Sequence, residues 1–133
     1  MPTDQYHEPP DELSDETRTF ARMITSLTEE AEAIGWYEQR LALEKDPQAH
    51  AVMSDAVGEE YKHFAMDLEF LLRRKPKWRE IAQGVLFRDG DIVEHGEAAE
   101  AAAGDEGAVG DDDAPAGASD GSLGIGSLKG AAR

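Results

Sequence analysis

Glu60-Tyr61-Lys62-His63 sets a carboxylate and an imidazole three residues apart. On a helix, such a pair projects from one face and is close enough to share one metal ion. Alone, E-x-x-H is a weak signal, because glutamate-rich helices produce it by chance and a surface Glu–His pair is the ordinary reading. Glu30 adds to it. It falls inside the series Phe20, Met23, Leu27, Glu30, Ile34, Tyr37 and Leu41, whose spacing alternates between three and four. That is the heptad-type pattern of a buried helix–helix seam. An unpaired ionised carboxylate is costly there, so Glu30 must be neutralised, paired or bound to a cation.

Di-iron sites of ferritin-like four-helix bundles take one Glu from each of two helices and one E-x-x-H from each of the other two. This chain carries one of each, which is half a site, and a two-fold dimer would supply the rest with the metals on the axis. Carboxylates with imidazole favour iron or manganese over copper, although other divalent cations such as zinc would also bind. Two ferrous ions sharing carboxylates could pass electrons to dioxygen together, which is oxidation rather than hydrolysis. No Ser/His/Asp arrangement competes, and "GSLGIG" near the C-terminus neither follows a strand nor opens a helix, as a phosphate loop would.

Other residues are less marked. Glu29 and Glu32 point away from Glu30 on the same helix. A solvated face is their ordinary role, and gathering cations for the inner site is the functional one. Trp36 and Tyr37 read first as packing residues. Tyr37, two turns from Glu30, is also placed to hydrogen-bond a ligand or relay an electron. On the second helix Ala56, Glu60, His63 and Asp67 form a row beside the apolar stripe Met53, Val57, Tyr61, Phe64, Leu68 and Leu71. His7, His50 and His95 show no ligand spacing.

The elements that hold these residues are helices. Ser14, followed by Asp15 and Glu16, reads as an N-cap with acids in the first turn, and only Gly35 disfavours helix from there to about Lys45. Asp46-Pro47 opens a second helix, which "KPKW" ends near Arg74. Residues 77–86 read as a short third helix, and "RDGD" as a turn. The expected fold is all-α: an antiparallel two-helix hairpin plus a short C-terminal helix, dimerising into a four-helix ferritin-like bundle. Residues 1–12 are expected to be a flexible arm, kept out of a helix by Pro9-Pro10, with the helical domain at 13–96. Residues 97–119, rich in Ala, Gly and Asp, are expected to be disordered linker, with an r.m.s. reach on the order of 25 Å. Residues 120–133 form a separate string in which Leu123, Ile125 and Leu128 are spaced by glycines.

Composition narrows the function classes further. The 133 residues carry a formal charge of −16 and no cysteine. The acidity repels nucleic acid and anionic membranes and attracts cations, and it also aids solubility. Disulfides, thiolate metal sites and thiol catalysis are excluded. The N-terminus lacks the basic and apolar regions of a signal peptide, and no apolar run approaches the length of a membrane span.

"TEEAEAIGWYEQR" followed by "GEEYKHFAMDLEFLLRR" resembles the encapsulated ferritins, two-helix ferritin-like ferroxidases that travel inside encapsulin shells. The resemblance covers roughly residues 14–90. "GSLGIGSLKG" is independently similar to the encapsulin-targeting peptide. The resemblance implies ferroxidase ligands at Glu30, Glu60 and His63 from two subunits, with Tyr37 beside them. It also implies an outer metal site at Glu29 and Glu32, near Trp36. It further implies an annular decamer built as a ring of dimers, Fe(II) as the ion oxidised, and a place in an encapsulin nanocompartment in the cytoplasm. Leu123, Ile125 and Leu128 would bind the shell protein. A non-enzymatic helical metal-binding or adaptor cargo protein is the rival reading.

Overall fold

Caps and prolines set the helix boundaries. In a computed structural model describing residues 5–104, Ser14 Oγ accepts a hydrogen bond from the Thr17 amide at 3.2 Å. It thereby opens α1, Asp15–Leu43. Asp15 and Glu16 then lie in the first turn, where negative charge complements the helix dipole. Gly35 is carried through without a break. Asp46 Oδ1 accepts from the Ala49 amide at 2.8 Å, and Pro47 begins α2, Pro47–Arg74. Lys75, ahead of Pro76, leaves the helical region at φ −128° and ψ 87°, as a residue before proline should. Pro76–Val85 forms α3. All three helices agree with the sequence expectation to within two residues.

Three expectations are corrected. Residues 97–103 are not linker: a fourth helix, α4, runs Ile92–Ala103. Asp91 caps it by accepting from the Glu94 amide at 2.9 Å, and its alanines have the highest helix propensity of any residue. The arm is not wholly irregular, because Pro10–Glu12 makes one 3-10 turn, which tolerates proline at its first position. Tyr61 does not join the apolar stripe of α2 but is 52% exposed. The rest of the expected linker, and the string with Leu123, Ile125 and Leu128, lie outside the described residues.

The hairpin of α1 and α2 packs along its length, while α3 packs on α4 and touches α2. Burial is sparse in the hairpin and greatest toward the C-terminal end of α2. Among the described residues, Val57, Leu71 and Leu72 of α2 and Ala99 of α4 make up the buried core. Gly84 allows the close approach of α3 to α4, since a Cβ there would collide with that of Ala99. By contrast α1, 29 residues long, buries none. Its stripe from Phe20 to Leu41 is only half-buried, because a single layer of two helices cannot enclose a core. The middle of the hairpin thus presents a face that is apolar at its edges and acidic at its centre.

Candidate metal centre

Glu30 interrupts the stripe of α1 at mid-hairpin, where α2 presents Glu60 and, one turn on, His63. One potential ligand atom from each of the three lies within 4.8 Å of the others. His63 Nδ1 stands 3.5 Å from Glu60 Oε2 and 3.9 Å from Glu30 Oε2. The other ring nitrogen, Nε2, faces Glu59 Oε2 at 4.0 Å. The two acids are about one-fifth exposed, with side-chain values of 22% for Glu30 and 23% for Glu60. A helix face with 3.6 residues per turn accounts for Glu60 and His63 meeting. The antiparallel pairing of α1 with α2 brings Glu30 to them.

Crowding two carboxyl groups changes their chemistry. The Glu30 carboxyl is pushed above its usual range, first by a hydrogen bond shared with Glu60, then by burial and by repulsion from Glu60. His63 opposes that shift and Asp67 adds to it. Like charges this close cannot both ionise comfortably, so the site retains a proton or takes a cation in its place. The donor set of two carboxylates and a neutral imidazole nitrogen suits iron or manganese. With Nδ1 turned toward the acids, the Nε2 side of His63 faces Glu59 at 4.0 Å, beyond hydrogen-bond reach. Glu59 is paired with Lys62, which holds its carboxyl below the usual range.

The remaining sequence candidates lie apart from this trio. Glu29, Glu32 and Trp36 are exposed on α1. Tyr37 is half-buried on the stripe, with the Arg40 guanidinium 5.6 Å from its ring centre. His95 has a structural task, its Nε2 lying 2.8 Å from the Asp89 carbonyl oxygen and closing the α3–α4 turn. Two residues near the site received no role from the sequence. One is Glu59, behind His63. The other is Asp67, whose Oδ2 is buried without a hydrogen-bond partner. The spacing of four from His63 could have flagged Asp67. Its missing partner could be seen only once the helices were packed.

Comparison with known proteins gives the chain's family and its structural relatives. A family model described as EncFtn-like matches residues 5–89. The chain is 46% identical over 129 residues to the Encapsulated ferritin-like protein of Rhodospirillum rubrum, covering 95% of this chain and 89% of that protein. It is 44% identical over 91 residues to the Ferritin-like protein of Thermotoga maritima, covering 68% and 80% respectively. Among solved structures, it resembles the crystal structure of protein ne0167 from Nitrosomonas europaea with a TM-score of 0.65 and 42% identity. That match covers 67% of this chain and 98% of the other.

Proposed function

Because the chain belongs to the EncFtn-like family, we propose that its ferritin-like role in iron chemistry is that of a ferroxidase. The observation that carries this reading is the convergence of Glu30, Glu60 and His63 within 4.8 Å, which is half the donor set of a di-iron bundle. A second copy about a two-fold axis supplies the other half. Glu30 of each chain then bridges two iron ions, and Glu60 and His63 cap them. A hairpin whose α1 buries nothing gains a core from the same association.

Fe(II) is the substrate. Two Fe(II) each give up one electron, and dioxygen takes both electrons and two protons to become hydrogen peroxide; peroxide is the other candidate oxidant. Glu30, whose carboxyl is raised above its usual range, binds a cation as the carboxylate, so binding releases protons. His63 offers Nδ1 as a neutral donor. Tyr37, along the seam, hydrogen-bonds a ligand or relays an electron. Glu29 and Glu32, beside Trp36, collect cations at the surface and pass them inward.

The dimers assemble further, into a ring of ten chains in this reading. Residues 120–133, with Leu123, Ile125 and Leu128, address the ring to an encapsulin shell in the cytoplasm, where the oxidised iron is mineralised. Many tails facing many pockets make weak single contacts effective.

Aerobic addition of Fe(II) tests the activity. The assembled protein should raise ferric absorbance well above the protein-free rate, while monomer separated by size exclusion should not. Cation binding with no faster oxidation would instead favour a metal-buffering or adaptor protein. Co-expression with an encapsulin shell, with and without residues 120–133, tests the address. Equal loading of the truncated chain would contradict it.

A further inference from the structure

We propose that residues 105–113 of this chain dock on a basic groove along α2 and the start of α3, apart from the metal centre and independent of the function proposed above. Five of the chain's thirteen lysines and arginines fall within residues 73–79: Arg73, Arg74, Lys75, Lys77 and Arg79, with no acid between them. On a chain of formal charge −16, that is a local inversion of sign, which attracts an anionic partner. The complementary run follows α4. Residues 105–113 carry Asp105, Glu106, Asp111, Asp112 and Asp113, no base, and one larger apolar residue, Val109.

The basic run lines a hollow surface. A groove of about 520 Å³ is lined by Met66 and Phe70, by Lys62, Arg73 and Arg74, and by Glu69. A second hollow, of about 270 Å³, shares Glu69 and adds Arg79, Leu86 and Phe87. Met66, Leu86 and Phe87 are all exposed. Glu69 answers Arg73 and Arg79, and Glu59 answers Lys62. Arg74 stacks on Phe70 instead. Among the described residues, no carboxylate pairs with Arg74, Lys75 or Lys77. The surface thus keeps unanswered positive charge beside exposed apolar side chains, and an acidic segment with one valine complements both.

Reach favours this segment over other partners of the same charge. Gly84 of α3 and Ala99 of α4 touch, so Ala103, ending α4, and Arg79 are no more than about 20 Å apart at the helical rise. Gly104 to Asp111 can extend over about 26 Å. Asp111, Asp112 and Asp113 therefore reach Arg79 and its neighbours with α4 intact. A tether this short holds them at roughly millimolar effective concentration, at which individually weak exposed ion pairs together make a populated contact.

Carbodiimide coupling of the full-length chain, which joins a carboxylate to a lysine amine only where the two meet, tests this by mass spectrometry. The Lys62–Glu59 pair is the positive control. Acids of 105–113 should couple to Lys62, Lys75 and Lys77. They should couple about fivefold less to Lys45, which lies beyond the other end of α2, about 40 Å away. Yields should fall about fivefold in 0.5 M NaCl, which screens exposed charges. They should fall similarly in Arg74→Gln and in Arg73→Gln/Arg74→Gln/Arg79→Gln, which leave every coupling lysine in place. In an assembly of mixed ¹⁵N-labelled and unlabelled chains, the coupled peptides should carry matching labels. Coupling chiefly between differently labelled chains would make a second copy the occupant and overturn the proposal. So would equal coupling to Lys45, or yields indifferent to salt and to both arginine variants, since only diffuse attraction would remain. Control coupling without any from 105–113 would leave the groove to another partner and overturn it as well.

Discussion

Glu69 and Glu30 are the same residue type in two regions of one hairpin, and their carboxyl groups are displaced in opposite directions. At the α2–α3 end, Glu69 Oε1 accepts from Arg73 Nε at 2.9 Å and from Arg79 Nη1 at 3.3 Å. The hydrogen bond from Arg73 is the leading reason its carboxyl lies below the usual range. Beside it Leu71 is fully buried, and the Arg74 guanidinium stacks 3.6 Å from the centre of the Phe70 ring. At mid-hairpin Glu30 meets a second carboxyl and rises, Asp67 has an unpartnered oxygen, and apolar burial is sparse. One end is complete as a folded structure. The other, in the function proposed above, is completed by a cation and a second chain, and functional sites concentrate where such tension is left in place.

The contrast is largest in mutation. Leu71→Ala should cost about 2–5 kcal/mol, the range for emptying a fully buried leucine position, read as a lowered midpoint in chemical denaturation. Glu30→Ala should do the reverse. Oxidation of Fe(II) falls to the protein-free rate, while metal-free stability is unchanged or raised, because a crowded carboxyl has been removed. Turnover surviving in Glu30→Ala, or unfolding by it, would erase the difference between the regions.

A smaller effect separates them by pH. The carboxyl of Glu30 is raised in the folded state from its ordinary value of 4.5. Its contribution to metal-free stability is therefore fully present below about that pH and is lost as pH climbs through the raised folded value. Glu69 is displaced downward, so its contribution is present above the ordinary carboxylate value and fades as pH falls through the lowered one. Thermal melts of metal-free protein and of Glu30→Gln from pH 4 to pH 7 should show the unmodified chain losing ground to the variant as pH rises. A constant gap would count against the raised carboxyl of Glu30. Mn²⁺ should reverse the trend, since the cation needs the carboxylates ionised. Smallest of all is Arg79→Ala, which removes a half-exposed ion pair of a kind that contributes little. Its melting temperature should barely move, and its oxidation rate should not.

Much of this was legible in the sequence, for physical reasons that can be named. Ser14, Asp46 and the prolines at 47 and 76 mark helix ends through local chemistry, so α1, α2 and α3 fall where expected. The alternation of three and four exposed Glu30 as an acid on an apolar stripe, and E-x-x-H supplied its partners. Helix α4 was hidden because Ala, Glu and Gly give no apolar periodicity, and its packing depends on the close approach at Gly84 and Ala99. Tyr61 sits at the margin of its stripe, where a small rotation of α2 decides exposure. The unpartnered oxygen of Asp67 is a property of packing alone and leaves no trace in residue spacing.

The central claim is that two chains complete one metal centre. Diffraction from crystals grown with Fe(II), using anomalous scattering at the iron edge, tests it most directly. The account predicts two iron ions at the two-fold axis between hairpins, each within ligand distance of Glu30, Glu60 and His63 side chains drawn from both copies. Iron held within a single chain, or found only at Glu29 and Glu32 with the trio empty, would contradict it.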